Sequence, residues 1–265
     1  MDLQMDGRLA LVTGSTKGIG RATAAQLVDE GAAVIVHGRS TGTVSPVVEA
    51  LGESGKVFGV WGDLSTPDGT TGVLDQVRAI GAPDIVVNNA AEFWAAPFFE
   101  LTDDDWYRSL ETNLMTGVRL VRALMPAMLE RDWGRVVFIS SDYGVQINSA
   151  LLHYSVAKAS LIALARGLAV TAAGTGVTVN SVISGPTWTE GAARFIDENN
   201  PEGVPVEDIR RSFFEPGGLL SDSLIGRYSE PQEIANMVAF VCSPRTSSVT
   251  GTALRVEGGT IKSAL

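Results

Sequence analysis

Seven short runs of β-branched and apolar residues, separated by helical stretches, constrain the fold of this 265-residue chain more than any other feature. Most of these runs are continuously apolar, which is typical of parallel strands that are buried on both faces. Their alternation with helices predicts an α/β fold: a doubly wound parallel sheet of seven strands, flanked by helices in a three-layer sandwich. The predicted strands are residues 9–12, 33–36, 57–60, 84–87, 135–139, 177–183 and 253–256.

Capping residues predict where two of the helices begin. Thr102 and Asp105 have the spacing of a capping box, and apolar residues follow at helical spacing over 106–125. Ser45 and Pro46 predict a second helix start, because a cap residue followed by proline suits a first turn.

The stretch from Thr187 to Arg227 interrupts the alternation between the sixth and seventh predicted strands. It is rich in glycine and proline and carries four aromatic residues. A segment of this length is either a functional lid or an insertion that has no role in function. Because it leaves the edge of the sheet where ligands bind, we expect a substrate lid at about 187–227. The chain shows no internal repeat or linker, so residues 1–265 are expected to form a single domain.

A glycine-rich loop, Thr13 to Gly20, lies between the first predicted strand and the helix that follows it. Glycine permits a positive φ and a close backbone approach, and the amides at a helix N-terminus face an anion such as pyrophosphate. Three glycines alone are a weak signal, but their place between a strand and a helix makes it strong. The spacing G-x-x-x-G-x-G differs from the common G-x-G-x-x-G and indicates a particular branch of dinucleotide-binding folds.

Tyr154 and Lys158 lie four residues apart on a predicted helix, so their side chains share one helix face. Tyrosine titrates near ~10, which is too high for proton exchange at neutral pH. A nearby ammonium group favours the phenolate and lowers the phenol pKa, as a general acid/base requires. The pair alone is a weak signal, because such pairs usually belong to a solvated helix face.

Ser140 and Ser141 strengthen this signal, since the fifth predicted strand ends there, at the ligand-binding edge. A hydroxyl group at that place could hold a substrate oxygen. The alternative is that either serine is a turn residue or a helix cap.

Together these features resemble the short-chain dehydrogenase/reductase family, and the resemblance covers nearly the whole chain. A Y-x-x-x-K match is common by itself, whereas the full set of motifs in chain order is not expected by chance. The matching residues are Thr13, Gly14, Gly18, Gly20, Asp63, Leu64, Asn88, Asn89, Ala90, Asn113, Ser141, Tyr154, Lys158, Thr189 and Glu257-Gly258-Gly259. The resemblance implies a Rossmann-like domain with strand order 3-2-1-4-5-6-7, NAD(P)-dependent redox chemistry, and a homotetramer or dimer.

The resemblance assigns catalytic roles to Asn113, Ser141, Tyr154 and Lys158. Ser141 lies thirteen residues before Tyr154, the usual spacing in the family, and is therefore preferred to Ser140. Tyr154 is expected to exchange a proton with the substrate oxygen, and Ser141 to hydrogen-bond that oxygen. Lys158 is expected to lower the phenol pKa and bind the cofactor ribose, and Asn113 to anchor a water beside the lysine.

Cofactor contacts are expected along the same edge of the sheet. Asp63 and Leu64 resemble the pair that meets the adenine ring, and Thr189 resembles the threonine that bonds the nicotinamide carboxamide. The residues expected to contact the cofactor are Gly14, Ser15, Thr16, Lys17, Gly18, Ile19, Gly20, Arg39, Ser40, Asp63, Leu64, Asn89, Ala90, Tyr154, Lys158, Gly185, Thr187 and Thr189.

The end of the second predicted strand indicates which cofactor binds. Enzymes that prefer NAD often carry an acidic residue there, which accepts from the ribose 2′-hydroxyl. This chain instead carries Arg39 and Ser40, with no carboxylate. A forked guanidinium suits the 2′-phosphate of NADP, and Lys17 could reach the same phosphate as a point charge. We therefore predict NADP(H), the alternative being that both basic residues are ordinary surface charges.

Two positions depart from the family pattern. Ala91 stands where the glycine of N-N-A-G is usual, and a methyl group there could crowd the backbone near the cofactor. Ser184-Gly185 stands where Pro-Gly is usual, which frees one backbone angle at the entry to the lid. Neither departure touches a group that transfers protons.

Composition argues against several other classes of function. A net charge of -10 and a pI near 4.7 disfavour binding to nucleic acid or to an anionic membrane surface. No apolar stretch reaches the roughly 18–20 residues of a membrane span. With one cysteine, Cys242, and two histidines, neither a disulfide nor a metal site is expected, and we predict a soluble cytoplasmic protein.

Aromatic residues and histidines admit two interpretations each, substrate contact or packing. Those that follow predicted strand ends, Trp94, Tyr143 and Trp188, are favoured as substrate contacts, and core packing is favoured for Phe93, Phe195, Phe213 and Phe214. His37 is expected to be structural or near the adenosine. His153 as the base of a serine hydrolase is disfavoured, because the chain lacks a G-x-S-x-G elbow.

The sequence thus predicts an NADP(H)-dependent oxidoreductase that interconverts a carbonyl and a secondary alcohol. A 3-oxoacyl-thioester reductase is the more specific alternative. A cofactor-binding regulator without turnover is disfavoured, because both Tyr154 and Lys158 are present.

Overall fold

All strands of the sheet are parallel, and their order is β3-β2-β1-β4-β5-β6-β7. The structure is a computed structural model that describes residues 1–52, 56–200 and 203–264. The strands are β1 Leu9–Val12, β2 Ala33–Gly38, β3 Val57–Trp61, β4 Ile85–Asn88, β5 Gly134–Ser141, β6 Val177–Ser184 and β7 Ala253–Val256. The predicted α/β fold and its strand order are confirmed.

Helices connect the strands and cover both faces of the sheet, with α1, α2 and α9 on one face and α3, α5 and α6 on the other. Within the described residues they are α1 Gly18–Asp29, α2 Thr41–Leu51, α3 Pro67–Ile80, α4 Asp103–Leu110, α5 Thr116–Glu130, α6 Leu152–Thr171, α7 Glu190–Glu198, α8 Val206–Ser212 and α9 Pro231–Cys242. None of the helices in this part of the chain is long and apolar enough to cross a membrane.

Two core layers result from the alternation of side chains along each strand. In β1, Ala10 and Val12 pack with residues of α1, α2 and α9, whereas Leu11 packs with residues of α3, α5 and α6. The same alternation occurs in β2, where Ile35 points away from Val34 and Val36. The sheet is therefore the middle layer of a three-layer sandwich, as predicted.

The capping residues predicted one helix start correctly and one wrongly. Thr102 and Asp105 form the expected capping box at the start of α4. The predicted start at Ser45-Pro46 is wrong, because α2 already begins at Thr41. The carbonyl of Ser40 accepts from the amides of residues 43 and 44 and closes the first turn there, so Pro46 lies inside the helix.

Helices α4 and α5 are joined by a π-helical turn, Glu111–Met115, rather than forming one continuous α-helix. A π-turn inserts an extra residue and re-aims the side chains around it, and such turns often occur at functional sites. This one contains Asn113, which is buried.

Candidate active site

The carboxyl ends of β1 and β4 are tied together beneath the glycine-rich loop. The Thr13 hydroxyl accepts from the amides of Asn89 (2.9 Å) and Ala90 (3.0 Å). The Asn89 side chain donates to the carbonyls of Thr13 (2.9 Å) and Gly14 (3.1 Å). Gly14 has φ +61°, and a Cβ there would lie 2.9 Å from the Cα of Ala90, so only glycine fits this approach.

His37 ties the same loop to β2 and β3. Its Nδ1 accepts from the Gly14 amide at 3.1 Å, and its Nε2 lies 3.2 Å from the Gly62 carbonyl, which places the ring proton on Nε2. Burial lowers the pKa of His37 to about 4, so the ring is neutral at neutral pH. Of the two roles considered for His37, these contacts support the structural one.

Ser15, an expected cofactor contact, is directed into this scaffold. Its hydroxyl donates to the Val12 carbonyl at 2.7 Å and accepts from the His37 amide at 2.9 Å, and its own amide donates to the His37 carbonyl. Its polar groups therefore stabilise the loop rather than the outer surface of the site.

The amino end of α1 presents an amide that already binds an anionic oxygen. The amide of Gly18, its first residue, donates to a carboxylate oxygen of Glu190 at 3.2 Å. Lys17, the residue before it, is exposed. A Cβ on Gly20 would lie 2.4 Å from the Asn89 side chain, so the start of α1 packs directly on the end of β4. This cradle fits the pyrophosphate of a dinucleotide.

The other expected phosphate contacts lie at the end of β2. Arg39 and Ser40 are both exposed, and Thr16 of the loop packs beside Gly38. Ser65 donates to the Asp63 carboxylate through its hydroxyl and amide, and with Arg39 nearby these contacts hold the pKa of Asp63 below its usual range.

Two apolar residues of the expected cofactor set point into the protein. Leu64 is buried in the core, and Ile19 packs against the opposite core layer. Their side chains therefore pack in the two core layers that support the site.

Ser141, Tyr154 and Lys158 converge at the carboxyl end of β5. The Ser141 hydroxyl is close enough to the Tyr154 phenol to act to lower its pKa, and the Lys158 Nζ lies 5.4 Å from the centre of the tyrosine ring. The Lys158 ammonium donates to the Ile139 carbonyl at 2.7 Å. Ser140, the alternative to Ser141, donates its hydroxyl to the Lys158 carbonyl at 2.8 Å and thereby holds α6 on β5.

Burial has opposite effects on the pKa values of the tyrosine and the lysine. It raises the pKa of Tyr154 above its usual value, against a smaller lowering effect of the Ser141 hydrogen bond. It lowers the pKa of Lys158 to about 8. The lysine is therefore not the dominant influence on the phenol among the protein's own groups, contrary to the expectation from spacing, because its Nζ is directed to Ile139.

Asn113 is held in the π-turn by the chain that follows β4. Its Oδ1 accepts from the Glu92 amide at 3.0 Å, and its Nδ2 donates to the carbonyls of Glu92 (2.9 Å) and Ser109 (3.0 Å). The side chain thus fixes the loop after β4 and does not contact Lys158 directly.

The segment after β6 returns over the carboxyl edge of the sheet. A Cβ on Gly185 would lie 2.5 Å from the Glu257 backbone, and the Thr187 hydroxyl donates to the Gly185 carbonyl. Thr189 caps α7, and its side chain lies about van der Waals distance from Gly18. Helices α7 and α8 lie within the predicted lid, whose residues Pro201 and Glu202 lie outside the described residues.

The aromatic ring that packs against Tyr154, that of Phe93, is not among those that the sequence favoured. Phe93 lies 5.5 Å from the Tyr154 ring centre and 5.3 Å from Phe195 on α7. Trp94 instead stacks on His153 at 4.1 Å, beneath the Arg108 guanidinium. Successive residues of this loop point in opposite directions, which exchanges the expected roles of positions 93 and 94.

His153 is structural. Its Nδ1 lies 3.0 Å from the Ser109 hydroxyl and its Nε2 lies 3.1 Å from the Trp94 carbonyl, and the side chain is buried. Burial also lowers its pKa. No group of three or more His, Cys, Asp or Glu residues is placed to hold a metal ion in the part of the chain that the structure describes.

Comparison with known proteins agrees with this arrangement. A family model described as short chain dehydrogenase matches residues 8–200. The chain belongs to the short-chain dehydrogenase family. This short-chain dehydrogenase is 42% identical to the uncharacterized oxidoreductase YvrD of Bacillus subtilis, over 99% of this chain and 100% of that protein.

Two further relatives have more specific names. The 3-oxoacyl-[acyl-carrier-protein] reductase FabG of Escherichia coli is 35% identical, over 97% of this chain and 98% of that protein. L-sorbose reductase from Gluconobacter frateurii, solved with NADPH and L-sorbose, is 31% identical with a TM-score of 0.92, over 99% of this chain and 100% of that one.

Two acidic residues of this short-chain dehydrogenase were missed by reasoning from the sequence. Asp142 directly follows Ser141 and is buried against it, and Glu190 follows Thr189 and reaches the loop at Gly18. An acidic residue next to an expected catalytic serine is a signal that could have found Asp142. Glu190 has no comparable signal, because its partner lies 172 positions away.

Proposed function

We propose that this short-chain dehydrogenase interconverts a carbonyl and a secondary alcohol with NADP(H), using Tyr154 as general acid and base. The observation that carries the proposal is the convergence of Ser141, Tyr154 and Lys158 at the carboxyl end of β5, where the Lys158 Nζ lies 5.4 Å from the centre of the Tyr154 ring. Residues at this edge can meet both a bound dinucleotide and its substrate.

In the reductive direction Tyr154 donates a proton to the substrate oxygen, and the Ser141 hydroxyl hydrogen-bonds that oxygen. Lys158, whose pKa burial lowers to about 8, keeps most of its positive charge at neutral pH and stabilises the phenolate that forms. We assign Asn113, which is hydrogen-bonded to the loop after β4, the role of anchoring a water that links Lys158 to solvent.

Residues of four loops would hold the cofactor, which supplies the hydride. The amides of the Gly14–Gly20 loop fit the pyrophosphate, and Lys158 would bind the ribose hydroxyls. Arg39 and Lys17 are exposed at neighbouring loops and suit a 2′-phosphate, which favours NADP over NAD. The NADPH bound in L-sorbose reductase supports this choice. The remaining contacts are proposed for Ser40, Asp63, Ala90, Thr187 and Thr189.

The substrate would lie against Phe93, Tyr143 and Phe195, beneath a lid formed by α7 and α8. Ring contacts link Phe93 to both Tyr154 and the lid, so the same ring can contact substrate and report lid position. We expect α7 and α8 to exchange amide hydrogens faster than α6 in the free enzyme, and to gain protection when NADPH is added. Uniformly strong protection without cofactor would contradict the lid.

We also propose that residues 1–265 form a single domain, that the chain assembles as a homotetramer or a dimer, and that it acts in the cytoplasm. The assembly follows from the family membership, and light scattering at micromolar concentration tests it. A monomer would refute it.

A substrate panel tests the proposed reaction. Ketones, aldehydes, ketoses and 3-oxoacyl thioesters are offered with NADPH, and oxidation is followed at the nicotinamide absorbance. Turnover with simple ketones or ketoses supports the general proposal. Turnover confined to 3-oxoacyl thioesters would support the narrower proposal, a 3-oxoacyl-thioester reductase, which the similarity to FabG favours. Cofactor binding without turnover of any compound in the panel would favour the alternative that the protein is a cofactor-binding regulator and not an enzyme.

A further inference from the structure

Asp142 occupies a buried position directly behind the Ser141 hydroxyl. Its carboxyl group is 6% exposed, at the carboxyl end of β5. Its Oδ1 accepts from the Ser141 hydroxyl and from the Tyr143 amide, each at 3.0 Å. Its Oδ2 lies 3.0 Å from the hydroxyl of Thr260, from the segment that follows β7.

Thr260 also reaches a second buried carboxyl group, that of Glu257. The Thr260 hydroxyl lies 3.1 Å from Glu257 Oε2 and 3.2 Å from the Glu257 carbonyl. Glu257 has nitrogen donors of its own, namely the Ile261 amide on Oε2 and the Arg255 guanidinium on Oε1. These hydrogen bonds outweigh burial and hold the pKa of Glu257 below its usual range.

A count of hydrogens places one extra proton in this cluster. The Thr260 hydroxyl carries a single hydrogen but faces two carboxyl oxygens, and Asp142 Oδ2 has no other donor within the described residues. If both acids were ionised, Thr260 would turn a lone pair toward one buried carboxylate oxygen. A proton on Asp142 Oδ2 resolves this, because Asp142 then donates to Thr260 and Thr260 donates to Glu257.

We propose that Asp142 is a positioning residue for Ser141, and that it acts as a neutral acid through the hydrogen-bonded chain Asp142–Thr260–Glu257. The proposal rests on the role given to Ser141 in the proposed function. Ser141 must release its hydrogen from Asp142 to donate it to the substrate oxygen. A neutral carboxyl group releases it more easily than a carboxylate, whose charge-assisted hydrogen bonds are roughly twice as strong.

The charged and titratable groups around Asp142 agree with a neutral acid. Glu257, Tyr143 and Tyr154 face it, and Arg255 lies beyond Glu257, where it is engaged in an ion pair. Burial and the charge of Glu257 raise the pKa of Asp142 above its usual value. When Asp142 is neutral, the phenolate of Tyr154 also forms without a negatively charged carboxylate beside it.

Three variants test the proposal in the full chain. Asp142→Asn keeps an acceptor toward Ser141 and a donor toward Thr260, and so imitates the neutral acid. Asp142→Ala removes both contacts. Asp84→Asn is the matched control, since Asp84 is a half-buried, ion-paired carboxylate just before β4, at the amino edge of the sheet. We expect near-native kcat for Asp142→Asn and Asp84→Asn, and a loss of about tenfold for Asp142→Ala, with cofactor KM little changed.

Infrared spectroscopy reads the proton directly and does not depend on activity. At neutral pH the wild type and Asp84→Asn should show the C=O stretch of a buried protonated carboxyl group, which Asp142→Asn should lack. As the pH rises, the C=O band of the protonated carboxyl group should disappear over the same pH range in which the kcat of the wild type falls. An absent band, or an Asp142→Asn enzyme as slow as Asp142→Ala, overturns the proposal. If the band is present but Ser141→Ala retains full activity, the role of Ser141 fails instead, and with it the link to catalysis.

Discussion

The proposed catalytic edge, at the carboxyl end of β5, and the proposed lid are held by different kinds of contact. At the edge, the buried Lys158 donates to the Ile139 carbonyl and Ser140 donates to the Lys158 carbonyl, so side chains of β5 and α6 are hydrogen-bonded to backbone. Such bonds are costly to break in a buried place, because each would leave a polar group without a partner. The chemistry is thus built on rigid elements.

The proposed lid is instead held by ion pairs between charged side chains and by contacts between aromatic rings. Arg210 pairs with Glu207 and Arg211 with Asp208 within the single short helix α8, and such exposed pairs add little stability. The Tyr228 ring packs between Trp188 and Phe214. Substitutions in the proposed lid are therefore expected to change which substrate binds without disturbing the groups proposed to react.

Removal of the Tyr154 hydroxyl, at the carboxyl edge of the sheet, should have the largest effect on activity. Tyr154→Phe should lower kcat by about 10²–10⁴-fold, because proton transfer to the substrate oxygen is lost. Cofactor affinity, measured by nicotinamide fluorescence, should change little. Phe195→Leu in α7 serves as the contrasting variant, with an effect mainly on KM, because its ring packs on Phe93 beside the proposed substrate position. Near-native kcat in Tyr154→Phe would remove the basis of the mechanism.

The rigid edge extends to the glycine-rich loop through His37, which should make stability sensitive to acid. The folded pKa of about 4 lies below the ordinary 6.5, so the unfolded chain binds the proton more readily between these values. Stability is therefore complete above pH 6.5 and falls as the pH decreases toward 4, by about 3 kcal/mol for this group.

Urea unfolding at a series of pH values checks this, with His37→Gln as the variant. The fall in unfolding free energy between pH 6.5 and 4 should be shallower in His37→Gln than in the wild type. His153→Gln is the comparison, since burial also lowers the pKa of that ring. An unchanged pH dependence in His37→Gln would show that the ring is not held neutral by the fold.

Arg39, the exposed residue proposed to select the cofactor, should have an effect of intermediate size when it is replaced. Arg39→Ala should weaken NADPH binding by roughly tenfold or more, since a charge-assisted hydrogen bond to a phosphate contributes about 1.5–3 kcal/mol. NADH affinity should hardly change. Arg211→Ala, an exposed arginine of the lid, should affect neither cofactor. Equal weakening of both cofactors in Arg39→Ala would contradict the assignment to NADP.

The fold, and the placement of Tyr154 and Lys158 together on one helix, could be predicted because their signals are local. Continuous apolar runs indicate buried parallel strands, and the spacing of Tyr154 and Lys158 places both on one helix face. The π-turn around Asn113 was not predicted, since an inserted residue leaves the helical pattern of apolar residues nearly intact. Asp142 and Thr260 lie 118 positions apart and meet only when β5 and the segment after β7 are packed together.

Glu190 is one of the contacts between the proposed lid and the edge of the sheet, and its replacement should have the smallest effect. Its carboxylate accepts from the Gly18 amide at 3.2 Å, at the exposed amino end of α1, where the cofactor pyrophosphate is expected. Carboxylate and phosphate therefore compete for one amide and repel each other. Glu190→Gln should tighten NADPH and NADH alike, by about two- to fivefold, because the pyrophosphate is common to both and exposed charges interact weakly.

Fluorescence titration of both cofactors measures this, with Glu198→Gln at the other end of α7 as the control, since it changes the same net charge on the same helix. Equal tightening for NADPH and NADH separates Glu190 from Arg39, which should discriminate between them. Weaker binding in Glu190→Gln would mean that the carboxylate helps to close the lid over the cofactor. The lid would then contribute to cofactor binding as well as substrate choice, and the division between a rigid reacting edge and an adjustable lid would have to be redrawn at α7.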